Sequence, residues 1–317
     1  MAKKIKKSIP WLVFMILASL IVGAGFASFW PVRVPEVRAD VATSTVQPTV
    51  EVGNATPTIS EVSLNAGNNI TLTENTSKSV NCTLTAVDQN GGSDIISATT
   101  TIYRSGVASS CADDDNNCYQ TITPSATSSS GDYFYATFTE NIWFHAEPTD
   151  VSAPTYSTEH WECYVVVEDS YAASTSTTNT AETIEMGTLD ALIITSSINY
   201  QTLAPGATSS ASQETTATTT GNAAIDVKLK GTADFTSGAN SFDASQQEYA
   251  TSSVAYGTGT ALATTTYATL ELESLKPVQH DPIQATATDI IYWRIGIPEG
   301  QAPGTYNSTT SAAAVLD

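Results

Sequence analysis

A loop of oxygen-bearing side chains is the clearest candidate for chemistry in this 317-residue chain. It lies between Cys111 and Cys118, and its candidate ligands are Asp113, Asp114, Asp115 and Asn117. Ca²⁺ takes about six to eight oxygen ligands, so the loop is a candidate calcium site, and calcium is the one cofactor that the sequence suggests. The spacing lacks the glycine and the distal glutamate of an EF-hand. A solvated hairpin tip is the commoner structure for such a loop.

Other groups of reactive residues are weaker candidates for a functional site. Asp88, Asn90 and Asp94 form a second group of oxygen ligands, but Asn and Asp beside glycine more often make a turn. His160 and Glu162 share one strand face without a third ligand in sequence reach, so we predict no zinc site. The sequence contains neither a Gly-x-Ser-x-Gly elbow nor a glycine-rich phosphate loop, and we expect no catalytic residues.

Strands must position these residues. From residue 58 to residue 186, alternation of apolar and polar residues predicts such strands. This period of two is typical of strands with one buried face. Turn-rich segments separate the runs, which indicates an antiparallel sandwich. The predicted inward residues are Val80, Cys82, Leu84 and Ala86; Ile96, Ala98, Thr100 and Ile102; Phe134, Ala136 and Phe138; and Trp161, Cys163, Val165 and Val167.

A second module is predicted over residues 187–317. Its segment 202–221 is rich in Thr, Ser and Ala and is compatible with a loop, a linker or two polar strands. Alternation then returns and predicts a second sandwich. The predicted inward residues are Ile225, Val227 and Leu229; Ala268, Leu270 and Leu272; and Ile291, Trp293, Ile295 and Ile297.

The four cysteines allow three disulfide connectivities. Cys82 and Cys163 fall on inward faces of strands early and late in the first module, whereas Cys111 and Cys118 are separated only by the acidic loop. Packed sheets lie about 10 Å apart, and a disulfide between central strands can bridge them. We therefore expect Cys82 to pair with Cys163 and Cys111 with Cys118; four buried free thiols are the alternative.

The N-terminus predicts export. Lys3, Lys4, Lys6 and Lys7 precede an apolar stretch that ends at Trp30, and a membrane-spanning helix needs about 20 such residues. Residues 1–30 are thus a signal peptide or a signal-anchor transmembrane helix. Small-residue sites ending at Ala27 and Ala39 permit cleavage, so a retained anchor and a removed leader both stay open. Residues 31–57, rich in Pro, Thr and Val, are predicted to be an extended linker.

Charge separates the leader from the rest of the chain. From Asp40 onward there are six Lys and Arg against 31 Asp and Glu, a net charge of −25. Nucleic-acid binding is disfavoured, because that affinity comes largely from basic side chains that release counterions. The predicted location is extracytoplasmic: membrane-anchored with the C-terminal part outside, or secreted if the leader is cleaved.

Several motifs resemble those of known families. Cys82, Cys163 and Trp161, two residues before the second cysteine, resemble the immunoglobulin-like pattern. Residues 85–95 and 163–170 resemble polycystic-kidney-disease-type and cadherin-like modules of prokaryotic cell-surface proteins. Residues 221–227 and 297–306 resemble hairpins of immunoglobulin-like modules in such proteins. The resemblance implies an all-β chain with two antiparallel immunoglobulin-like β-sandwiches, at residues 58–186 and 187–317, after an N-terminal hydrophobic helix.

Three functions fit these observations. The first is a non-catalytic, structural or adhesive protein of the cell surface, with the membrane and a protein or glycan ligand as its partners. The second is a carbohydrate-binding module or the accessory domains of an extracellular hydrolase. The third is a subunit of a surface lattice or fibre, which needs an unpaired edge strand or an exposed apolar patch. The second needs aromatic side chains on one open face, with candidates Tyr133, Tyr135, Trp143, Phe144, Tyr164, Tyr171 and Tyr200.

Overall fold

The computed structural model describes residues 45–179, 183–195, 197–273, 275 and 287–317. The predicted leader at residues 1–30 and the first part of the predicted linker lie outside these ranges. No helix in the described ranges has both the length and the apolar character needed to cross a membrane. The chain divides into Met1–Glu51 and a compact unit from Val52 to Asp317, and every strand of the described residues belongs to the second unit.

The described residues form an all-β fold, as the alternating pattern predicts. Three-residue 3₁₀ turns occur at Asn65–Gly67, Gly92–Asp94 and Ala244–Gln246. The strands are β1 (Thr58–Leu64), β2 (Ser77–Val87), β3 (Ile95–Arg104), β4 (Cys118–Ile122), β5 (Pro124–Ser130), β6 (Tyr133–Trp143), β7 (Trp161–Asp169), β8 (Ser174–Thr178), β9 (Leu192–Ile194), β10 (Gln213–Thr219), β11 (Ile225–Gly231), β12 (Phe235–Ser237), β13 (Asn240–Phe242), β14 (Gln247–Ala250), β15 (Thr260–Ala261), β16 (Ala268–Leu270), β17 (Thr288–Ile295) and β18 (Thr310–Leu316).

Two four-stranded antiparallel sheets, ordered β1-β2-β6-β5 and β4-β3-β7-β8, share one hydrophobic core. The core contains the predicted inward residues of β2, β6 and β7, because alternate side chains of a strand point to the same side of a sheet. Cys82 on β2 is bonded to Cys163 on β7, so a disulfide joins the two sheets inside the core. A second disulfide joins Cys111 to Cys118. Both are the pairs that the sequence predicts.

One predicted inward residue is wrong. Ile96 is 66% exposed, whereas its neighbour Ile95 is buried. The register of β3 against β7 shifts between Ile95 and Ser97, where the structure has a β-bulge. A bulge inserts one residue and moves the alternation by one position, so the buried face continues at Ala98, Thr100 and Ile102.

The second half contains a five-stranded sheet, β15-β14-β17-β10-β9, a three-stranded sheet, β16-β11-β18, and the ribbon β12-β13. Its largest core cluster includes Val227, Leu229, Ile291 and Trp293, as predicted. Strand β10 lies in the low-complexity segment 202–221 and pairs with both β9 and β17. That segment therefore supplies one central strand, whereas the sequence left open a loop, a linker or two polar strands.

The buried residue Asn222 connects the two halves through side-chain hydrogen bonds. Its Oδ1 accepts a hydrogen bond from Leu189 N at 2.7 Å, and its Nδ2 donates to Ala146 O at 2.9 Å and Gly187 O at 3.0 Å. The neighbouring Gly221 is required here, because a Cβ at that position would lie 1.8 Å from Leu189 O. The domain boundary at residue 187 stays a prediction.

Candidate metal centre

Three aspartates meet at one end of the first pair of sheets. Asp88 follows β2, Asp94 ends the 3₁₀ turn before β3, and Asp169 is the last residue of β7. One carboxylate oxygen from each lies within 4.8 Å of the others. Asp88 and Asp169 have no exposed surface, and Asp94 is half-buried. The arrangement provides hard oxygen ligands of the kind that Ca²⁺ and Mg²⁺ prefer.

Two adjacent glycines fold the β2–β3 loop so that Asp94 returns to Asp88. Gly91 has a φ of 116°, a conformation that residues with a Cβ rarely adopt. A Cβ on Gly92 would lie 2.0 Å from Tyr133 O, so only glycine permits this approach to the β5–β6 turn. Gly91 N donates to Asp88 O at 3.0 Å, and Asp94 N donates to Gly91 O at 2.9 Å.

Asp169 is held in place by three N–H groups. Its Oδ1 accepts hydrogen bonds from Tyr171 N and Ala173 N, both at 2.9 Å, and its Oδ2 accepts one from Asn54 Nδ2 at 2.8 Å. The Asn54 hydrogen bond is the main reason that the pKa of Asp169 is lowered; the two backbone N–H groups add to it against the opposing effect of burial. Asp169 is therefore held as a carboxylate.

The other two aspartates keep one oxygen each without a hydrogen bond. Asp88 Oδ1 accepts from Asn90 N at 2.7 Å, and Asp94 Oδ1 accepts from the Ser170 hydroxyl. Asp88 Oδ2 and Asp94 Oδ2 are buried and accept no hydrogen bond from any described residue. Buried polar atoms are nearly always hydrogen-bonded, so two such oxygens in one acidic cluster indicate that a further group belongs there.

No cationic side chain of the described ranges balances this cluster. The ion pairs that the described residues form lie elsewhere, where Arg104 pairs with Glu147 and Glu159, and His160 pairs with Glu162. The centre therefore brings together three carboxyl groups without a lysine, arginine or histidine partner.

The predicted calcium loop is organised differently. Asp113 Oδ1 accepts a hydrogen bond from Gln120 N at 3.1 Å. Asp114 accepts from Asn116 N at 2.9 Å and from Asn117 Nδ2 at 3.1 Å. Tyr119 donates its hydroxyl to Asp115 O at 2.6 Å. These contacts shape the hairpin between the paired cysteines, and calcium binding by the loop stays a prediction.

A second acidic cluster consists of Asp226, Glu271 and Asp317. The pKa of Glu271 is raised mainly by its hydrogen bond with Asp226 and next by the negative charge of Asp226. Asp226 is buried, but its Oδ1 accepts a hydrogen bond from Leu272 N at 2.8 Å. Glu271 and Asp317 are exposed. This cluster has an internal hydrogen bond in place of unpartnered buried oxygens.

Asp169 was missed by sequence reasoning, although a signal for it exists. The inward residues of β7 are Trp161, Cys163, Val165 and Val167, and the next inward position is Asp169. Asp88 continues the inward positions of β2 in the same way. A carboxylate on the buried face of a strand needs a partner or an ion, so two such positions could have been identified together.

The candidate sugar-binding aromatic residues are separated by the fold. Phe144 is buried, and Tyr200 packs against the core of the second half. Tyr164 belongs to β7 in the other sheet of the first half. The remaining residues are exposed: Tyr171 follows β7, and Tyr133, Tyr135 and Trp143 occupy alternate positions on the outer side of β6.

Comparisons with known proteins add little. No protein-family model and no curated protein matches this chain. Among solved structures, the crystal structure of dimeric latent PorU from Porphyromonas gingivalis matches with a TM-score of 0.25 and 11% identity, covering 86% of this chain and 21% of that one. This chain thus corresponds to about a fifth of that protein's length, and a TM-score of this size carries no argument about fold or function.

Proposed function

We propose that this chain is an exported, non-catalytic protein of the cell surface that presents two β-sandwich modules outside the membrane in a structural or adhesive role. The observation that carries the proposal is the pair of disulfides, which leaves none of the four cysteines free. Disulfides persist in oxidising compartments and are rare in the cytosol. The Lys-flanked apolar leader predicted at residues 1–30 supports the same location.

An immunoglobulin-like architecture for the first module is part of this proposal. Two antiparallel sheets of four strands share a core, and a disulfide joins their central strands β2 and β7. Trp161 is fully buried in that core, and its Nε1 donates to Glu147 O at 3.1 Å. This combination of facing sheets, a disulfide between them and a buried tryptophan is typical of the immunoglobulin fold.

The disulfides also support a non-catalytic role, and two histidines have partners within the fold. All four thiols are consumed in disulfides. His160 Nε2 lies 2.9 Å from Glu162 Oε1, and His145 is buried beside Phe144 and Trp143. Residue 280, the third histidine, lies outside the described residues.

Fractionation of the native cell with mass spectrometry tests the proposal. We expect the protein in the membrane fraction or the medium, with both disulfides present in unreduced peptides. The mass of the N-terminal peptide reports whether the leader is retained. Native protein recovered from the cytosol with four reduced thiols would contradict the proposal, because the native protein would then lack both disulfides.

Carbohydrate binding is a second candidate, favoured by one observation. Tyr133 and Tyr135 are 48% and 41% exposed on β6, with ring centroids 6.2 Å apart and planes 12° from parallel. Tyr135 has a hydroxyl-bearing residue on each side, Thr85 on β2 and Ser128 on β5. Aromatic rings among hydroxyl groups suit the stacking and hydrogen bonding of sugars.

Affinity electrophoresis on gels containing xylan, chitin or soluble cellulose tests the second candidate. Retardation of the wild-type chain that is lost in Tyr135→Ala, but kept in the exposed control Tyr171→Ala, would support it. Equal mobility of all three proteins on every polysaccharide would leave the structural or adhesive role as the better account.

A further inference from the structure

We propose that Asp88, Asp94 and Asp169 form a Ca²⁺ site that fastens together three separate segments at one end of the first module. This inference goes beyond the proposed function, and only the affinity expected below rests on the extracellular location. It rests on the convergence of three carboxylate oxygens within 4.8 Å and on two buried oxygens, Asp88 Oδ2 and Asp94 Oδ2, that accept no hydrogen bond from any described residue.

A cation explains this arrangement better than packing does. Carboxylates this close repel one another, and burial removes the water that would otherwise stabilise them. A positive ion between the carboxylates offsets both of these costs. Asp169 already accepts three hydrogen bonds, which fix its carboxylate in place. A cation is the group that satisfies the two unpartnered oxygens of Asp88 and Asp94 together.

The chemistry of the ligands favours Ca²⁺ over other common metals. The three residues offer hard oxygen atoms and no nitrogen or sulfur, which disfavours Zn²⁺. Ca²⁺ accepts irregular sets of carboxylates, carbonyls and waters, whereas Mg²⁺ demands a near-ideal octahedron. Ligands from a loop and a strand end make an irregular set. Extracellular modules bind Ca²⁺ with Kd of about 10⁻⁴–10⁻³ M, which is the range expected here.

The site would connect parts of the chain that are distant in sequence. Asp88 and Asp94 belong to the β2–β3 loop and Asp169 to the end of β7. Asn54, which donates to Asp169, precedes β1, and its neighbour Ala55 N donates to Asn90 Oδ1 at 2.7 Å. Ca²⁺ at the three aspartates therefore stabilises the loop, the β7–β8 turn and the segment before β1 at once.

Thermal unfolding of the full chain with added CaCl₂ tests this inference, with MgCl₂ at equal concentration as the control for general screening of the acidic surface. We expect about 10 mM Ca²⁺ to raise Tm by roughly 5 °C, with Mg²⁺ much less effective. Asp88→Asn and Asp94→Asn should each weaken Ca²⁺ binding by at least about tenfold in calorimetric titration. The double variant Asp113→Asn/Asp114→Asn, at the disulfide hairpin, is the matched control and should respond as the wild type does.

Thermal unfolding in EDTA gives a result that packing alone would not produce. Without Ca²⁺, the Asp94→Asn variant should unfold at the same temperature as the wild type or higher, because the substitution removes a repulsion and keeps the Oδ1 acceptor for Ser170. With Ca²⁺ the order should reverse. The inference fails if Ca²⁺ and Mg²⁺ act equally, if neither binds, or if both the Asp88→Asn and the Asp94→Asn variants keep the wild-type Ca²⁺ response.

Discussion

Asp88 and Asp169 each lie six residues beyond one half of the same buried disulfide, and a carboxylate oxygen of each lies within 4.8 Å of the other. Strands β2 and β7, which lie in facing sheets, therefore run in the same direction from Cys82 and Cys163 to the acidic cluster. The disulfide joins the two strands covalently, and six residues further along they bring like charges together. The disulfide thus limits how far the two carboxylates can separate.

The two disulfides should contribute unequally to stability. In the chain-entropy model, the Cys82–Cys163 bond closes a separation of 81 residues and is worth about 4.5 kcal/mol. The Cys111–Cys118 bond closes a separation of seven residues and is worth about 2.5 kcal/mol. Chemical denaturation of Cys82→Ala/Cys163→Ala and of Cys111→Ala/Cys118→Ala should show this order. A larger loss for the hairpin pair would contradict it.

Removing Arg104 should destabilise the first module strongly. Its Nε lies 2.8 Å from Glu147 Oε2, both side chains are buried, and its guanidinium lies 3.7 Å from the centre of the Tyr156 ring. Arg104→Met leaves the Glu147 carboxylate buried without this cation, which typically costs about 3–5 kcal/mol in unfolding free energy. Urea denaturation measures it.

Two further variants test the cause of that loss. Lys78→Met removes the same charge from an exposed position of β2 and should change stability by less than about 0.5 kcal/mol. Adding Glu147→Gln to Arg104→Met should recover part of the loss, because it removes the buried negative charge. Equal stability of the Arg104→Met and Lys78→Met proteins would refute the prediction.

Burial of Tyr119 should make the protein sensitive to high pH. Burial raises the pKa of Tyr119 far above its ordinary value, and the negative charges of Asp115 and Glu140 add to the effect. An unfolded tyrosine ionises near pH 10, so the contribution of Tyr119 is complete below about pH 10 and is lost as the pH rises further. One such group steepens the loss of unfolding free energy by about 1.4 kcal/mol per pH unit.

Urea denaturation between about pH 10.5 and 12 measures this slope. Tyr119→Phe removes the ionisable group and should make the slope shallower, although it also removes the hydrogen bonds to Asp115 O and from Trp143 N. Tyr171→Phe, at a position that is 73% exposed, should leave the slope unchanged. Identical slopes for wild type and Tyr119→Phe would show that this residue does not govern alkaline unfolding.

Asn222→Ala should weaken the connection between the two halves. The substitution leaves Leu189 N, Ala146 O and Gly187 O without their partner, at about 1 kcal/mol for each lost hydrogen bond. We expect a total loss of about 3 kcal/mol in guanidinium denaturation. Asn141→Ala, at an exposed position of β6, is the control and should be nearly neutral. A neutral Asn222→Ala would mean that water replaces these bonds.

The sequence by itself determined which side of most strands is buried. Alternation at Val80, Cys82, Leu84 and Ala86 reports the inward face directly, because successive Cβ atoms of a strand point to opposite sides. The same reasoning placed both long-range cysteines inside one core and so predicted their pairing. It failed at Ile96, because a bulge depends on how β3 pairs with β7 and leaves no mark on the local pattern.

Only the tertiary structure decided where charge accumulates. Asp88 and Asp94 are close in sequence, but Asp169 joins them because β7 pairs with β3 in the sheet that faces β2. Sequence reasoning favoured the run Asp113, Asp114 and Asp115, whose members are adjacent in the chain. Neighbouring residues of a loop point in different directions, whereas the ends of paired strands are held together by hydrogen bonds that local composition does not specify. The candidate cation site is therefore a product of strand pairing between segments 75 or more residues apart.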